Sequence, residues 1–179
     1  MGFRKGNTMK FEGTKAEKRV LIAKDVLKNL KAKKLEVATG TYCTFFKGNS
    51  QVEFKVGCLQ KQLQNKTNIK CECCALGSAF YSYIMKFNNF NVTEDGDEYF
   101  NETDMNVLER IFTPLQLSMI ESAFEGCAMV ERINHDFDQA YNHIAILRSI
   151  EFGDKYYNDA PRLQSIMQNI VDNNGTFKP

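Results

Sequence analysis

The cysteines are the residues of this chain best suited to chemistry. Three of the six lie within four residues, at Cys71, Cys73 and Cys74, and Cys43 and Cys58 precede them in the sequence. The Cys71-x-x-Cys74 pair can supply half of a tetrahedral zinc site, and Cys43 and Cys58 could supply the rest. A thiol at a helix N-terminus would instead gain thiolate character, which favours redox chemistry. The 14 residues between Cys43 and Cys58 do not fit zinc-finger spacing. Free cysteine is common in protein cores, so we favour a structural interpretation of the cluster, in which the cysteines act as small apolar residues at the start of a buried helix.

A stripe of lysines is the second candidate. Lys24, Lys28 and Lys31 recur at helical spacing, and Lys33 and Lys34 follow. Such a stripe can neutralise the phosphates of a nucleic acid or hold another anion. The helix lacks the interleaved aromatic residues of a base-binding surface, so nucleic acid is the less favoured partner. A solvated helix face is the more common role of such a stripe.

Two tyrosines, Tyr156 and Tyr157, lie in a short segment that also contains Phe152. Tyrosine combines an apolar ring with a hydrogen-bonding tip and is therefore frequent at binding surfaces. We expect this segment to be partly exposed and to contribute to a ligand site.

Catalysis has little support in the sequence. The two histidines, His135 and His143, belong to no Cys/His or Ser/His/Asp signature. Glycine-rich phosphate-binding motifs are missing. Although dispersed residues can still form an active site, the sequence favours a protein that is not an enzyme.

The charge is unevenly distributed along the chain. The 179 residues carry a net charge of +1, but residues 1–70 contain 16 Lys+Arg against 5 Asp+Glu, and residues 71–179 contain 7 against 17. The two halves could complement each other within one chain or across a homo-oligomer interface. No secretory h-region of roughly 7–15 apolar residues and no membrane span is present, which predicts a cytoplasmic protein with reduced thiols and no membrane contact.

The elements that must position these residues are predicted to be mainly α. About five helices and a small β-hairpin at about residues 41–58 are expected to form a single domain over 14–179, after a flexible tail at 1–13. The polar stretch 59–70 predicts a loop, and helical periodicity is expected from Cys71. Thr14 and Glu17 form a predicted capping box. Thr113 is a predicted N-cap with Gln116 at the capping-box position, and Gly126 is predicted to end that helix in a left-handed conformation. The acidic stretch 91–103 predicts an exposed connection, and a further helix is predicted from Asp136 to just before Gly153.

Several segments together resemble a group of short uncharacterised proteins of bacteria and bacteriophages. They are Arg19–Leu27, Gly40–Tyr42, Cys71–Gly77, Ile111–Glu125 and Ile166–Pro179, and the last is the most specific. The resemblance implies a small phage or mobile-element protein, and by analogy of setting an anti-defence or modulator role. It implies no activity.

This chain departs from the pattern of that group in its thiols. Cys43, Cys58 and Cys73 are additions to the usual Cys71 and Cys74 pair.

Our leading hypothesis from the sequence is a non-catalytic binding module that acts on a host protein or sequesters a small anionic ligand. The alternatives are a nucleic-acid-associated regulator using Lys24, Lys28 and Lys31, and a zinc or thiol protein centred on Cys71 and Cys74. No cofactor is expected unless zinc binds these thiols.

Overall fold

This computed structural model describes residues 13–55, 59–65, 69–87, 102–127 and 139–179. These ranges contain six α-helices and one four-stranded sheet. The helices are α1 (Lys15–Lys31), α2 (Leu59–Asn65), α3 (Ala75–Phe87), α4 (Pro114–Glu125), α5 (Gln139–Asp154) and α6 (Asp159–Asp172). The strands are β1 (Leu35–Val37), β2 (Cys43–Lys47), β3 (Ser50–Val52) and β4 (Ile69–Cys73). A 3-10 helix, η1 (Glu102–Arg110), precedes α4. The predicted class, mainly α with a small β part, is confirmed.

The sheet has the order β1-β4-β2-β3. β1 is parallel to β4, whereas β2 is antiparallel to both β4 and β3. The predicted hairpin is confirmed as β2 and β3, which pair Lys47 with Ser50 across a turn where Gly48 has a φ of 61°. The second strand ends at Val52, and residues 56–58 lie outside the described ranges.

The prediction of a loop over 59–70 was wrong, and so was a helix beginning at Cys71. The structure places α2 and β4 there, and α3 begins only at Ala75. The strand forms because β1 and β2 hydrogen-bond to its two sides. Neither partner is local in sequence, so the polar composition of the stretch gave no sign of the pairing.

Local capping signals predicted two helix starts correctly. Thr14 and Glu17 form the capping box of α1, with the Glu17 N–H 3.2 Å from Thr14 Oγ1 and the Thr14 N–H 2.7 Å from Glu17 Oε2. Thr113 accepts from the Gln116 N–H at 3.2 Å and so caps α4. The Gln116 side chain does not complete a box, because its amide bonds the backbone of Phe177 in both directions.

A glycine allows α3 to lie directly against the sheet. A Cβ at Gly77 would stand 1.4 Å from the carbonyl oxygen of Tyr42, so only glycine fits this contact. α3 itself is buried from Ala75 to Ile84 and forms the centre of the core. α1, η1 and α4 pack around it.

Some predicted features fall on residues that the structure does not describe. They are the tail apart from Gly13, residues 91–101 of the connection predicted over 91–103, the start of the helix predicted from Asp136, and His135. The last two residues of that connection belong to η1 instead. α5 also continues through Gly153, before which it was expected to end. In the described ranges, no helix has the length and apolar character needed to cross a membrane.

Candidate anion-binding pocket

One end of the sheet opens into a cavity. β1 and β4 both begin there because they are parallel, and β2 ends there because it is antiparallel to β4. The cavity has a volume of 790 Å³, and we call it the lysine pocket. It is lined by residues from the end of α1, the hairpin turn, α2, the start of β4 and α3: Lys33, Lys34, Gly48, Asn49, Leu63, Gln64, Ile69, Lys70, Tyr81 and Met85.

Two of the three lysines are positioned by the end of α1. The Lys33 N–H bonds the Leu30 carbonyl and the Lys34 N–H bonds the Asn29 carbonyl, each at 3.0 Å. Lys33 adopts a left-handed conformation with a φ of 54°, which turns the chain from α1 into β1. Both lysines are exposed, and neither makes an ion pair with a described residue. These hydrogen bonds to the last turn of α1 therefore hold the backbone of Lys33 and Lys34 at the pocket.

The third cation, Lys70, is partly neutralised. Its ammonium group forms an exposed ion pair with Glu36 of β1. Glu36 itself does not line the lysine pocket, and no other carboxylate is among the lining residues that the structure describes. An exposed pair of this kind contributes at most about 1 kcal/mol, so an anion can compete for Lys70.

Tyr81 is a neutral polar residue in the lining of the pocket. It lies on α3 and only 8% of it is exposed. Burial raises its pKa to about 12, and the nearby Cys71 thiol and Asp25 add to the effect. The phenol consequently keeps its proton at neutral pH and can donate a hydrogen bond to an anion.

These groups are chemically suited to bind an anion. Charge-assisted hydrogen bonds from ammonium groups are the strong contacts for phosphate and carboxylate, and the volume suits a small molecule. Among the described residues that line the pocket, there is no histidine, cysteine, serine or threonine.

The predicted lysine stripe lies outside this pocket. Lys24, Lys28 and Lys31 are all exposed on α1. Lys31 instead lines a neighbouring groove beside β1, which also reaches Lys33 and Lys70. Binding by the stripe itself stays a prediction.

Three of the predicted zinc thiols are in described residues, but they are not equivalent. The Sγ atoms of Cys43 and Cys71 are 2.9 Å apart on neighbouring strands. Cys74 lies one residue before α3, and Cys58 lies outside the described ranges. Across those ranges, no three Cys, His, Asp or Glu side chains are grouped as a metal site would need.

The thiols also lack the lowered pKa that a helix N-terminus can cause. Burial raises the pKa of Cys43 and, more strongly, that of Cys71. It raises the pKa of Cys74 to about 12, although the N–H groups of Leu76 and Gly77 favour the thiolate. These buried thiols are therefore protonated at neutral pH, as in the structural interpretation of the cluster.

The two predicted tyrosines differ in exposure. Tyr157 is 96% exposed, while Tyr156 is half-buried with its ring 5.9 Å from that of Phe152. The Tyr156 carbonyl accepts a hydrogen bond from the guanidinium of Arg162. The same guanidinium also donates to the backbone carbonyl of Phe124 at 2.7 Å. The segment is thus partly exposed as expected, and its part in ligand binding stays a prediction.

The sequence did not point to Lys70 or Tyr81 as site residues. Lys70 lay in the stretch predicted as a loop, and Tyr81 was one of several aromatics of an apolar helix. The usable signal was Lys33-Lys34, which extends the stripe past the end of α1. No protein family, curated protein or solved structure matches this chain.

Proposed function

We propose that this protein is a non-catalytic binding module that holds a small anionic ligand in the lysine pocket. The observation that carries the proposal is the placement of Lys33, Lys34, Lys70 and the protonated Tyr81 around one cavity, in whose described lining there is no carboxylate. The ligand class is a small molecule bearing phosphate or carboxylate groups, since these accept hydrogen bonds from ammonium and phenol donors.

Two pairs of lysines allow a test matched in charge. The double variant Lys33→Gln/Lys34→Gln removes two charges at the pocket, and Lys24→Gln/Lys28→Gln removes two exposed charges from α1. Titration calorimetry with pyrophosphate and with citrate, at low ionic strength, measures each dissociation constant. We expect at least one probe to bind the wild type.

The pocket variant should bind about tenfold more weakly, because two partly exposed charges contribute roughly 1 kcal/mol or slightly more. The stripe variant should stay within about threefold of the wild type, since screening weakens distant charges. Failure of both probes would contradict the proposal, and so would equal weakening by the two variants. Equal weakening would favour the alternative of a polyanion, such as nucleic acid, bound across the basic half.

The hydroxyl of Tyr81 gives a second, independent test. Tyr81→Phe keeps the ring in the core and removes only the donor. Weaker binding with unchanged thermal stability would support a contact with the ligand. Native mass spectrometry of gently purified protein would then identify a co-purified anion by its mass, and any turnover of that compound would overturn the non-catalytic assignment.

A further inference from the structure

On the outer edge of β1, the structure shows backbone groups that have no partner among the described residues. The Lys34 carbonyl and the Ala38 N–H bond β4, both at 3.2 Å, which fixes the side of the strand that faces β4. Because successive residues of a strand point their N–H and C=O groups in opposite directions, Leu35 and Val37 point theirs away from β4. Neither makes another backbone hydrogen bond within the described ranges.

One of these residues is nearly inaccessible to bulk solvent. Leu35 is only 4% exposed, while Val37 is half-buried. Buried backbone N–H and C=O groups are almost always paired, since an unpaired group loses its hydration without compensation. Hydrogen-bond partners for the backbone groups of Leu35 would therefore be favourable at this edge of β1.

A groove follows this edge between α1 and α6. Its volume is 960 Å³, and all three residues of β1 line it. Leu27 and Leu30 of α1 and Ala160 and Pro161 of α6 give it apolar walls. We call it the edge groove, and it provides side-chain contacts directly beside the unpaired backbone.

The charge at the edge groove is positive. Lys31, Lys33 and Lys70 line it, and Glu36, which pairs with Lys70, is the single carboxylate among its described lining residues. An approaching chain with acidic side chains is electrostatically complementary to this surface. A basic chain would be repelled.

We propose that the edge groove binds an extended acidic peptide of a partner protein, which adds to the sheet beside β1 as a new strand. The N–H and C=O groups of Leu35 and Val37 form the main-chain hydrogen bonds, as in other cases of strand addition. Apolar side chains of the peptide contact the walls of the groove, and an acidic one contacts Lys31 or Lys33. This goes beyond anion binding in the lysine pocket, which requires no backbone group of β1.

Val37 offers a selective perturbation. Its N–H points outward and takes no part in the ladder with β4, so Val37→Pro removes a donor to the peptide and leaves the sheet bonds in place. Proline is tolerated on edge strands for this reason. Val37→Thr is the matched control, because it keeps the N–H and a β-branched side chain.

The probe is a display library of random nine-residue peptides, selected on the full chain. We expect enriched peptides rich in β-branched residues and containing Asp or Glu, with dissociation constants similar for the wild type and Val37→Thr. Val37→Pro should bind them at least tenfold more weakly, because the peptide then lacks one backbone bond and leaves a carbonyl unpaired. The absence of any enriched peptide, or equal binding by Val37→Pro, would overturn the proposal.

Hydrogen exchange on the wild type keeps the test valid if Val37→Pro fails to fold. A bound peptide should slow exchange of the Leu35 and Val37 amides at least tenfold, and unchanged exchange at both would refute strand addition. Citrate and pyrophosphate binding by folded Val37→Pro should equal that of the wild type. The two proposals can therefore fail separately.

Discussion

Cys74 makes the stability of this protein sensitive to alkaline pH. Burial raises the pKa of its thiol from the ordinary 9.0 to about 12. In the unfolded chain the thiol ionises at its ordinary value, so between these two values the unfolded state has lost the proton that the folded state still holds. The free energy of unfolding must then fall as the pH rises through this window.

The size of the effect follows from the shift. One pKa unit corresponds to about 1.4 kcal/mol, and a change from about pH 7.5 to about pH 10.5 crosses roughly half of the window. Cys74 alone should therefore cost about 2 kcal/mol of stability at the higher pH. Tyr81, whose pKa rises from 10.0 to about 12, acts in the same direction and adds about 1 kcal/mol.

Urea denaturation followed by circular dichroism, under reducing conditions at both pH values, measures this loss. Cys74→Ala removes the titrating thiol, so its loss between the two pH values should be about 2 kcal/mol smaller than that of the wild type. Cys127→Ala, which removes an exposed thiol, serves as the control and should lose as much stability as the wild type. The reasoning is refuted if Cys74→Ala loses as much as the wild type does.

Two further predictions concern packing and thiol access. Gly77→Ala should lower the free energy of unfolding by about 3 kcal/mol or more, because the new Cβ overlaps the Tyr42 carbonyl oxygen. Gly48→Ala, at a turn with nothing within 4 Å, should cost only about 1 kcal/mol from its positive φ; equal urea midpoints would contradict the clash. Maleimide labelling of the native protein, mapped by mass spectrometry, should modify the exposed Cys127 before Cys73, which is 0% exposed and should react only after unfolding. Early labelling of Cys73 would contradict its place in the buried face of β4.

The charge asymmetry of the chain has a concrete structural expression. Its basic half supplies all the lysines of the lysine pocket and of the edge groove. An ion pair between the two halves uses the minority charge of each. Asp25 of the basic half pairs at 2.8 Å with Lys86 of the acidic half. Both proposed sites therefore take their cations from the basic half of the chain.

Short-range signals allowed several correct predictions where the physical cause was local. The capping residues Thr14 and Thr113 each bond an N–H three residues away. Gly126 ends α4 in a left-handed conformation with a φ of 71°, as its position after the apolar run predicts. The turn of the hairpin at Gly48 follows from the same conformational freedom.

The lysine pocket could not be predicted in this way, because its lining comes from five separate elements. Lys34 and Lys70 are far apart in sequence, and they meet because β1 and β4 pair in parallel and so begin at the same end of the sheet. That pairing also converts a polar stretch into a strand and buries Cys71 and Cys73 in the sheet.

The sequence by itself determined the helical class, the helix caps, the hairpin turn and the concentration of lysines in the first half, since each depends on residue type and near neighbours. Only the tertiary structure decided which lysines share a cavity, that Tyr81 keeps its proton beside them, and that β1 ends the sheet with an unpaired edge. The physical reason is that strand pairing and burial join residues distant in the chain, and both pKa values and cavities arise from those long-range contacts.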